Sequence, residues 1–450
     1  METETVVEEN EDNGGALPVI DKTMETETAV EENEDFGISL PILHRTKGPL
    51  KSCYVTADLC LRLIHEAMRK KQWEKASGLL SSYFQTLESR HTTRQQMAPE
   101  IIWRLGSEIL LNHPKCTRGD INVFHEAMKN IGLRNYLGVS LEQVYHSLCN
   151  GDYDEAYRVL SLAESWRCGR LAVRQKPNQR LVQGYRAALN YRSWVNRRAS
   201  SSRADGQSQL SGAQAVGSHY RQATVTFQEI IKLPGLWDPF VLSYVDLLES
   251  SGEREEAEKV LKAYASNPKN PPNPNAHVFH YEFKKRNTAS DEELKKVLAP
   301  LYSMTPSHTL MVNYSYLLST SSSAEDVKMA LKVLFDLLDF SGWKNNLKAW
   351  SFLAKEIKKA LHNDHKDWVL EYWEPRSSWW SPYHFTKLHA KRDWKENVDL
   401  ALKKALVAGM LLGLSCPYLL SVCKSGKDEE RRPLRNIIKT VQKNNCAKKF

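Results

Sequence analysis

Past residue 50 the apolar positions recur at helical spacing. Cys60, Leu63, Ile64, Ala67 and Met68 share one helical face, and Trp73, Ala76, Leu80, Phe84 and Leu87 share another. Only Lys70, Lys71 and Gln72 separate the two runs, a spacing that predicts an antiparallel helical hairpin. The design returns with Leu141, Val144, Tyr145 and Leu148, an Asn150-Gly151-Asp152 turn, then Tyr153, Ala156, Tyr157 and Leu160. It returns again with Val241, Tyr244, Val245 and Leu248, a Ser251-Gly252 turn, then Ala257, Val260, Leu261 and Tyr264. A fourth second-helix copy reads Val327, Ala330, Leu331, Leu334, Phe335 and Leu338. Glycine at two of these turns supplies the backbone freedom that ends a helix. No long stretch alternates with strand period, so the predicted class is all-α.

The strings KQWEKA, GDYDEA and SGEREEA resemble the turn and second-helix start of tetratricopeptide repeats, in which a small alanine lets paired helices approach. The alanines Ala76, Ala156, Ala257 and Ala330 are 80, 101 and 73 residues apart. Divergent helices such as Pro99 to Leu111 must fill the gaps, which predicts an irregular α-solenoid of helical hairpins. Two breaks interrupt it. Residues 197–218 are rich in serine, glycine and glutamine and read as a flexible loop, within which Arg197-Arg198-Ala199-Ser200 has the spacing basophilic kinases favour. Pro268, Pro271, Pro272 and Pro274 make the second break. The expected organisation is an acidic tail over 1–49, a helical-repeat half over 50–196, the serine-rich loop over 197–218, a second half over 219–423 and a basic tail over 424–450.

Charge sharpens the two ends. Residues 1–35 hold thirteen carboxylates and one lysine, and METETVVEENED returns as METETAVEENED after 23 residues, an acidic duplication too poor in apolar groups to form a core. The whole chain carries +8, so the remainder carries +20, which favours polyanionic or acidic partners. The amino terminus has glutamates where a secretory signal needs cations and an apolar run, so a reducing compartment is expected, with the eight cysteines as free thiols. That also discounts Asn313-Tyr314-Ser315 as a glycosylation site. Ala405 to Cys423 is uncharged, but Gly409, Gly413 and Ser415-Cys416-Pro417 break it into a buried helix, a turn and a short second helix rather than a membrane span.

No phosphate-cradling glycine loop, nucleophile elbow or His-Glu-x-x-His string occurs, so no catalytic site, cofactor, metal or small-molecule substrate is predicted. His277 with His280, and His362 with His365, lack further ligands at metal spacing and read as ordinary histidines. Seven of the twelve tryptophans fall between Trp343 and Trp394, mixed with His384, Lys387, Lys391 and Arg392. Rings beside cations can stack bases or grip a partner, whereas rings between non-ideal helices anchor a core. Trp379 and Trp380 are candidate surface aromatics, because adjacent helical residues point about 100° apart and one ring must face away from the packing of the other. The final 27 residues hold nine basic groups, with Ile437, Ile438 and Val441 in helical rhythm. Arg431, Arg432, Arg435, Lys439, Lys443, Lys448 and Lys449 are the candidate contacts to DNA or an acidic partner; an import signal and a solvated terminus are the other readings.

The blocks SSYFQTLE (81–88), APEIIWRLGSEIL (98–110), KLPGLWDPFVLSYVDLLE (232–249), NPNAH (273–277), VLFDLLDFSG (333–342) and DWKENVDLALKKALVAGMLLG (393–413) resemble the A subunit of the TATA-binding-protein-associated factors of RNA polymerase I. The resemblance spans residues 53–418 and leaves out the duplicated head. It implies a non-catalytic component of the promoter selectivity complex, working in the nucleolus at ribosomal RNA gene promoters. The implied partners are TATA-binding protein, the other associated factors, the polymerase I machinery and upstream binding factor. DNA contact would be direct or through the complex. A helical scaffold in ribosomal RNA processing or ribosome assembly is the alternative use of the same features.

Overall fold

The computed structural model describes residues 52–88, 92–131, 135–166, 175–201, 209–426, 431–444 and 446. The duplicated acidic head, Lys448 and Lys449 lie outside them. Among the described residues all regular structure is helical. The first part of the chain forms α1 (Ser52–Arg69), α2 (Trp73–Gln85), α3 (Thr92–Asn112), α4 (Arg118–Asn130), α5 (Tyr136–Cys149), α6 (Tyr153–Ser165), α7 (Gln175–Ser201) and α8 (Gln209–Ile231). Next come α9 (Asp238–Ser251), α10 (Arg254–Ser266), α11 (Pro274–Arg286), α12 (Asp291–Met304), α13 (Met311–Ser319) and α14 (Ala324–Leu338). The last part holds α15 (Leu347–His362), α16 (Lys366–Trp373), α17 (Ser377–His384), α18 (Lys387–Glu396), α19 (Val398–Leu412), α20 (Pro417–Ser425) and α21 (Arg431–Lys443).

One turn design closes five of the hairpins. A residue in the left-handed region follows the first helix, and the next backbone N–H donates to the carbonyl five residues back. The left-handed residues are Lys71, Gly151, Gly252, Thr288 and Asp364. The bonds run from Gln72 to Ala67 at 2.9 Å, Asp152 to Ser147 at 2.9 Å, Glu253 to Leu248 at 2.8 Å, Ala289 to Lys284 at 3.0 Å and His365 to Ala360 at 2.9 Å. Each satisfies a carbonyl that the helix end would otherwise leave unpaired. The small residue expected just after the turn is present in the packing. Ala76, Ala156, Ala257 and Ala330 are all fully buried, each on the second helix of its pair.

Hairpins follow one another as far as α14, each second helix touching the first helix of the next pair. Four apolar cores mark this progression: Ala57 to Val139, Leu137 to Leu189, Ala187 to Phe283, and Tyr281 to Cys446. Beyond α14 the linear order ends. Helix α19 packs against α15, α18, α20 and α21, and its apolar residues Ala401, Ala405, Val407, Ala408 and Met410 are fully buried. A helix apolar on nearly every side needs neighbours on every side. Among the described residues no helix is long and apolar enough to cross a membrane.

Two expected boundaries move. Helix α7 continues through Ser201 and α8 begins at Gln209, so helix occupies most of the segment read as a loop over 197–218. The two helices pair, with Ala187 and Trp194 sharing a core with Ala223, Phe227 and Ile230. The basic tail is also not separate. Leu434, Ile437 and Val441 of α21 are buried in the C-terminal core, and the Cys446 N–H donates to the Met410 carbonyl at 2.7 Å. Gly409 makes the approach possible, since a Cβ there would lie 2.6 Å from Val441 Cγ2.

Candidate nucleic-acid interface

Docking α21 by one face leaves the other to solvent. Leu434, Ile437 and Val441 face α19, while Arg432, Arg435, Lys439 and Lys443 are exposed at spacings of three, four and four residues. Those spacings place the four cations on one stripe. Among the described residues no ion pair engages any of the four. The backbone at Arg431 is helical, but its side chain lies outside the described residues, as do Lys448 and Lys449.

The tryptophan pair separates as the 100° rule requires, which corrects half of the expectation. Trp380 is fully buried and is not a surface aromatic. Its indole N–H donates to Asp339 Oδ1 at 2.7 Å, and its ring lies against Phe335, Trp350 and Trp373. Arg376 holds the same aspartate at 2.8–3.1 Å and reaches Asp336 at 2.5 Å, which fastens the chain before α17 onto α14. His384 is likewise no surface cation. Burial, with Lys404 and Lys344 nearby, pushes its pKa down to about 3, and it sits edge-on to Trp350 and Trp380 as a neutral ring. Trp379 is 39% exposed and packs beside Tyr383.

Helix α18 brings a second cationic face that periodicity alone did not isolate. Lys387, Lys391 and Lys395 repeat every four residues and are exposed, with Arg392 one turn past Leu388. From the loop before α15, Lys344 reaches the same surface, its Nζ 4.2 Å from the Tyr383 ring centroid and 3.3 Å from His389 Nε2. That meeting joins residues 45 positions apart, and no local pattern announces it. Burial lowers the pKa of both Lys344 and His389, and Arg392 lowers each further. Behind them lies a closed polar cluster. Asp393 Oδ2 takes Lys404 Nζ at 2.8 Å and the Tyr418 hydroxyl at 2.9 Å, with all three side chains fully buried.

Other buried titratable groups serve the fold. Glu356 of α15 is 1% exposed and neither carboxylate oxygen completes a hydrogen bond. The neighbouring Ser319 hydroxyl donates instead to the Tyr316 carbonyl at 3.0 Å. Burial raises the Glu356 pKa against the pull of Lys359, Lys355 and Ser319. A carboxyl whose folded pKa is raised contributes stability that is fully present below its unfolded value and lost as pH rises through the folded one. Glu356→Met is therefore expected to raise the unfolding free energy by about 1–3 kcal/mol at pH 7. Urea titrations at several pH values should show this gain shrinking as pH falls, and a variant less stable at pH 7 would assign the carboxylate a partner. Among the described residues no group of three or more histidines, cysteines or acids could hold a metal. His280 is a buried core residue whose pKa burial pushes down to about 4, and His365 stacks on Trp368 with ring centroids 3.8 Å apart.

The family of the "TAF RNA Polymerase I" A subunits matches residues 66–424. The chain belongs to this family. The mouse A subunit of the "TATA box-binding protein-associated factor RNA polymerase I" is 42% identical over 390 residues, covering 86% of each chain. The human protein of the same name is 42% identical and covers 86% of this chain and 87% of its own. Among solved structures, the TPR domain of P58(IPK) aligns with a TM-score of 0.21 and 10% identity, covering 86% of this chain and 97% of that one. That likeness is too slight to bear on the architecture, which rests on the helix pairing itself.

The family match opens inside α1 and closes within α20, so the α17–α18 surface lies inside it and α21 beyond it. Two of the blocks that carry the family resemblance meet in space. Asp238, at the start of α9, accepts the Tyr264 hydroxyl at 2.8 Å, Asn273 Nδ2 at 2.6 Å and Asn275 Nδ2 at 2.9 Å. The Trp237 N–H donates to the Tyr264 hydroxyl at 2.7 Å. The LWDP and NPNAH strings thus form one polar joint between α9 and α11.

Proposed function

We propose that this chain is a non-catalytic subunit of the RNA polymerase I promoter selectivity complex, which scaffolds TATA-binding protein and the other associated factors at ribosomal RNA gene promoters in the nucleolus. The observation that carries the proposal is 42% identity with the mouse and human members of the family over 86% of this chain. An array of hairpins offers long helical faces to several partners at once, which suits an assembly role. The exposed cations of α21 suit contact with promoter phosphates. Purification of the endogenous chain followed by mass spectrometry is expected to recover TATA-binding protein and polymerase I factors in stoichiometric amounts. Recovery of ribosome-assembly factors without TATA-binding protein would move the chain to the ribosomal RNA processing reading.

The α21 stripe makes a quantitative prediction. Changing Arg432, Arg435, Lys439 and Lys443 together to glutamine should leave the fold intact, because all four side chains point to solvent. If each meets a DNA phosphate, the slope of log affinity against log salt should flatten by about 3–4. Promoter retention of the assembled complex across a salt series measures it, and an unaltered slope would remove α21 from DNA contact.

A further inference from the structure

The α17–α18 surface has a different composition from the α21 stripe. It places an exposed ring beside cations. Trp379 lies 5.7 Å from Tyr383, Lys344 Nζ stands 4.2 Å over Tyr383, and His389 Nε2 is 3.3 Å beyond Lys344. Arg392, 47% exposed in its side chain, follows one turn after His389 on α18. Asp393, fully buried and held by Lys404 and Tyr418, lies 3.8 Å from Arg392. Among the described residues no ion pair engages Lys344, Lys387, Lys391 or Lys395. The surface therefore gathers exposed cations, with Glu396 the one exposed carboxylate of α18, and Lys344 and Arg392 crowd each other across a His389 whose pKa they lower. An incoming anion would relieve that crowding.

We propose that this surface binds an unpaired strand of nucleic acid, with Trp379 stacking on a base while Lys344 and Arg392 take the flanking phosphates and the α18 lysines extend the track. A base presents an aromatic face of any sequence to an exposed indole, and phosphates need accessible cations at its edge; Lys344 stands outside any ion pair among the described residues, and Arg392 is 47% exposed beside the buried Asp393. A duplex keeps its bases stacked on one another and gives Trp379 nothing to cover. Stacking and phosphate contact do not read the 2′-hydroxyl, so DNA and RNA strands bind alike. An acidic protein segment is the competing class, and Leu388 separates the two. That side chain is 79% exposed on α18, and an amphipathic acidic helix would draw much of its affinity from burying it, whereas a strand draws its affinity from the Trp379 ring and the cations. The inference stands apart from the promoter-complex reading, since it rests on Lys344, α17 and α18.

The test uses the full chain and fluorescein-labelled 20-mers of oligo(dT), oligo(rU) and a duplex, with a glutamate-rich peptide as competitor, read by anisotropy. Trp379→Ala is expected to weaken both single strands about tenfold or more, and Trp379→Phe to restore most of the loss. Lys344→Gln with Arg392→Gln should flatten the single-strand salt slope by about 1.4. Leu388→Ser should change nothing, and the four α21 substitutions should leave the Trp379 effect intact, so failure here and failure of the α21 contact are distinguishable. Circular dichroism melts identical to wild type guard against misfolding. Unchanged single-strand affinity in Trp379→Ala overturns the proposal. A loss in Leu388→Ser, with the peptide displacing the strand, assigns the surface to an acidic protein instead.

Discussion

Asp393→Ala is expected to remove about 3–5 kcal/mol of stability. The Lys404 ammonium is fully buried, and its direct partners are Asp393 at 2.8 Å and Asn345 at 3.4 Å. Burial already lowers the Lys404 pKa, with Lys344 and Arg392 adding to the shift and Asp393 opposing it. Taking away the carboxylate leaves a desolvated cation and also strands the Tyr418 hydroxyl. Asp393 lies on α18, Lys404 on α19 and Tyr418 on α20, so the damage falls on three helices of one core. A second variant separates charge from packing: in Asp393→Leu with Lys404→Met the pair is replaced by apolar groups of similar volume, and most of the loss should be recovered. Guanidinium unfolding followed by helical circular dichroism measures both. An alanine variant as stable as wild type would mean that water reaches Lys404.

Trp380→Ala should cost about 3–5 kcal/mol, whereas Trp379→Ala should stay within about 0.5 kcal/mol of wild type. The two rings are neighbours in sequence and opposites in environment. Removal of Trp380 opens a cavity between Phe335, Trp350 and Trp373 and deletes a hydrogen bond to Asp339. Trp380→Phe should fall between, because Arg376 still satisfies Asp339. Trp379 is 39% exposed and meets Tyr383 and Trp380 at the surface, so its deletion opens to solvent and leaves no enclosed cavity. Thermal melts of the two alanine variants decide it, and equal destabilisation would place both rings in the core.

The hairpin at Lys71 could be read from two clear apolar faces a short connection apart, and two others from a marked residue in the turn. Gly151 and Gly252 take φ values of 79° and 87°, where glycine has no side chain to clash, and both turns stand out on sight. The turns at Thr288 and Asp364 have the same geometry and the same hydrogen bond but use residues that do not signal it. Their hairpins stayed hidden for that reason. The serine-rich segment failed in the opposite direction. Its composition argues for a loop, yet α7 and α8 are long enough to pair through Ala187, Trp194, Ala223 and Phe227 and carry helix into it. Tertiary packing overrides a weak local propensity. The family blocks were legible because they are long and mix polar with apolar positions, and one pair of them turns out to build the Asp238 joint.

Taken by itself, the sequence determined the helical class, the buried alanines, the split of the 405–423 run into two helices and the family, all of which depend on residue types at fixed local spacing. Only the tertiary structure decided that α21 closes the core, that Trp380 turns inward while Trp379 faces water, and that Lys344 meets His389 and Arg392. Those outcomes depend on which faces find partners across 30 to 60 residues of chain, as with Asp339 and Trp380 or Asn345 and Lys404. Periodicity fixes a helix's apolar face but carries no information about what will cover it.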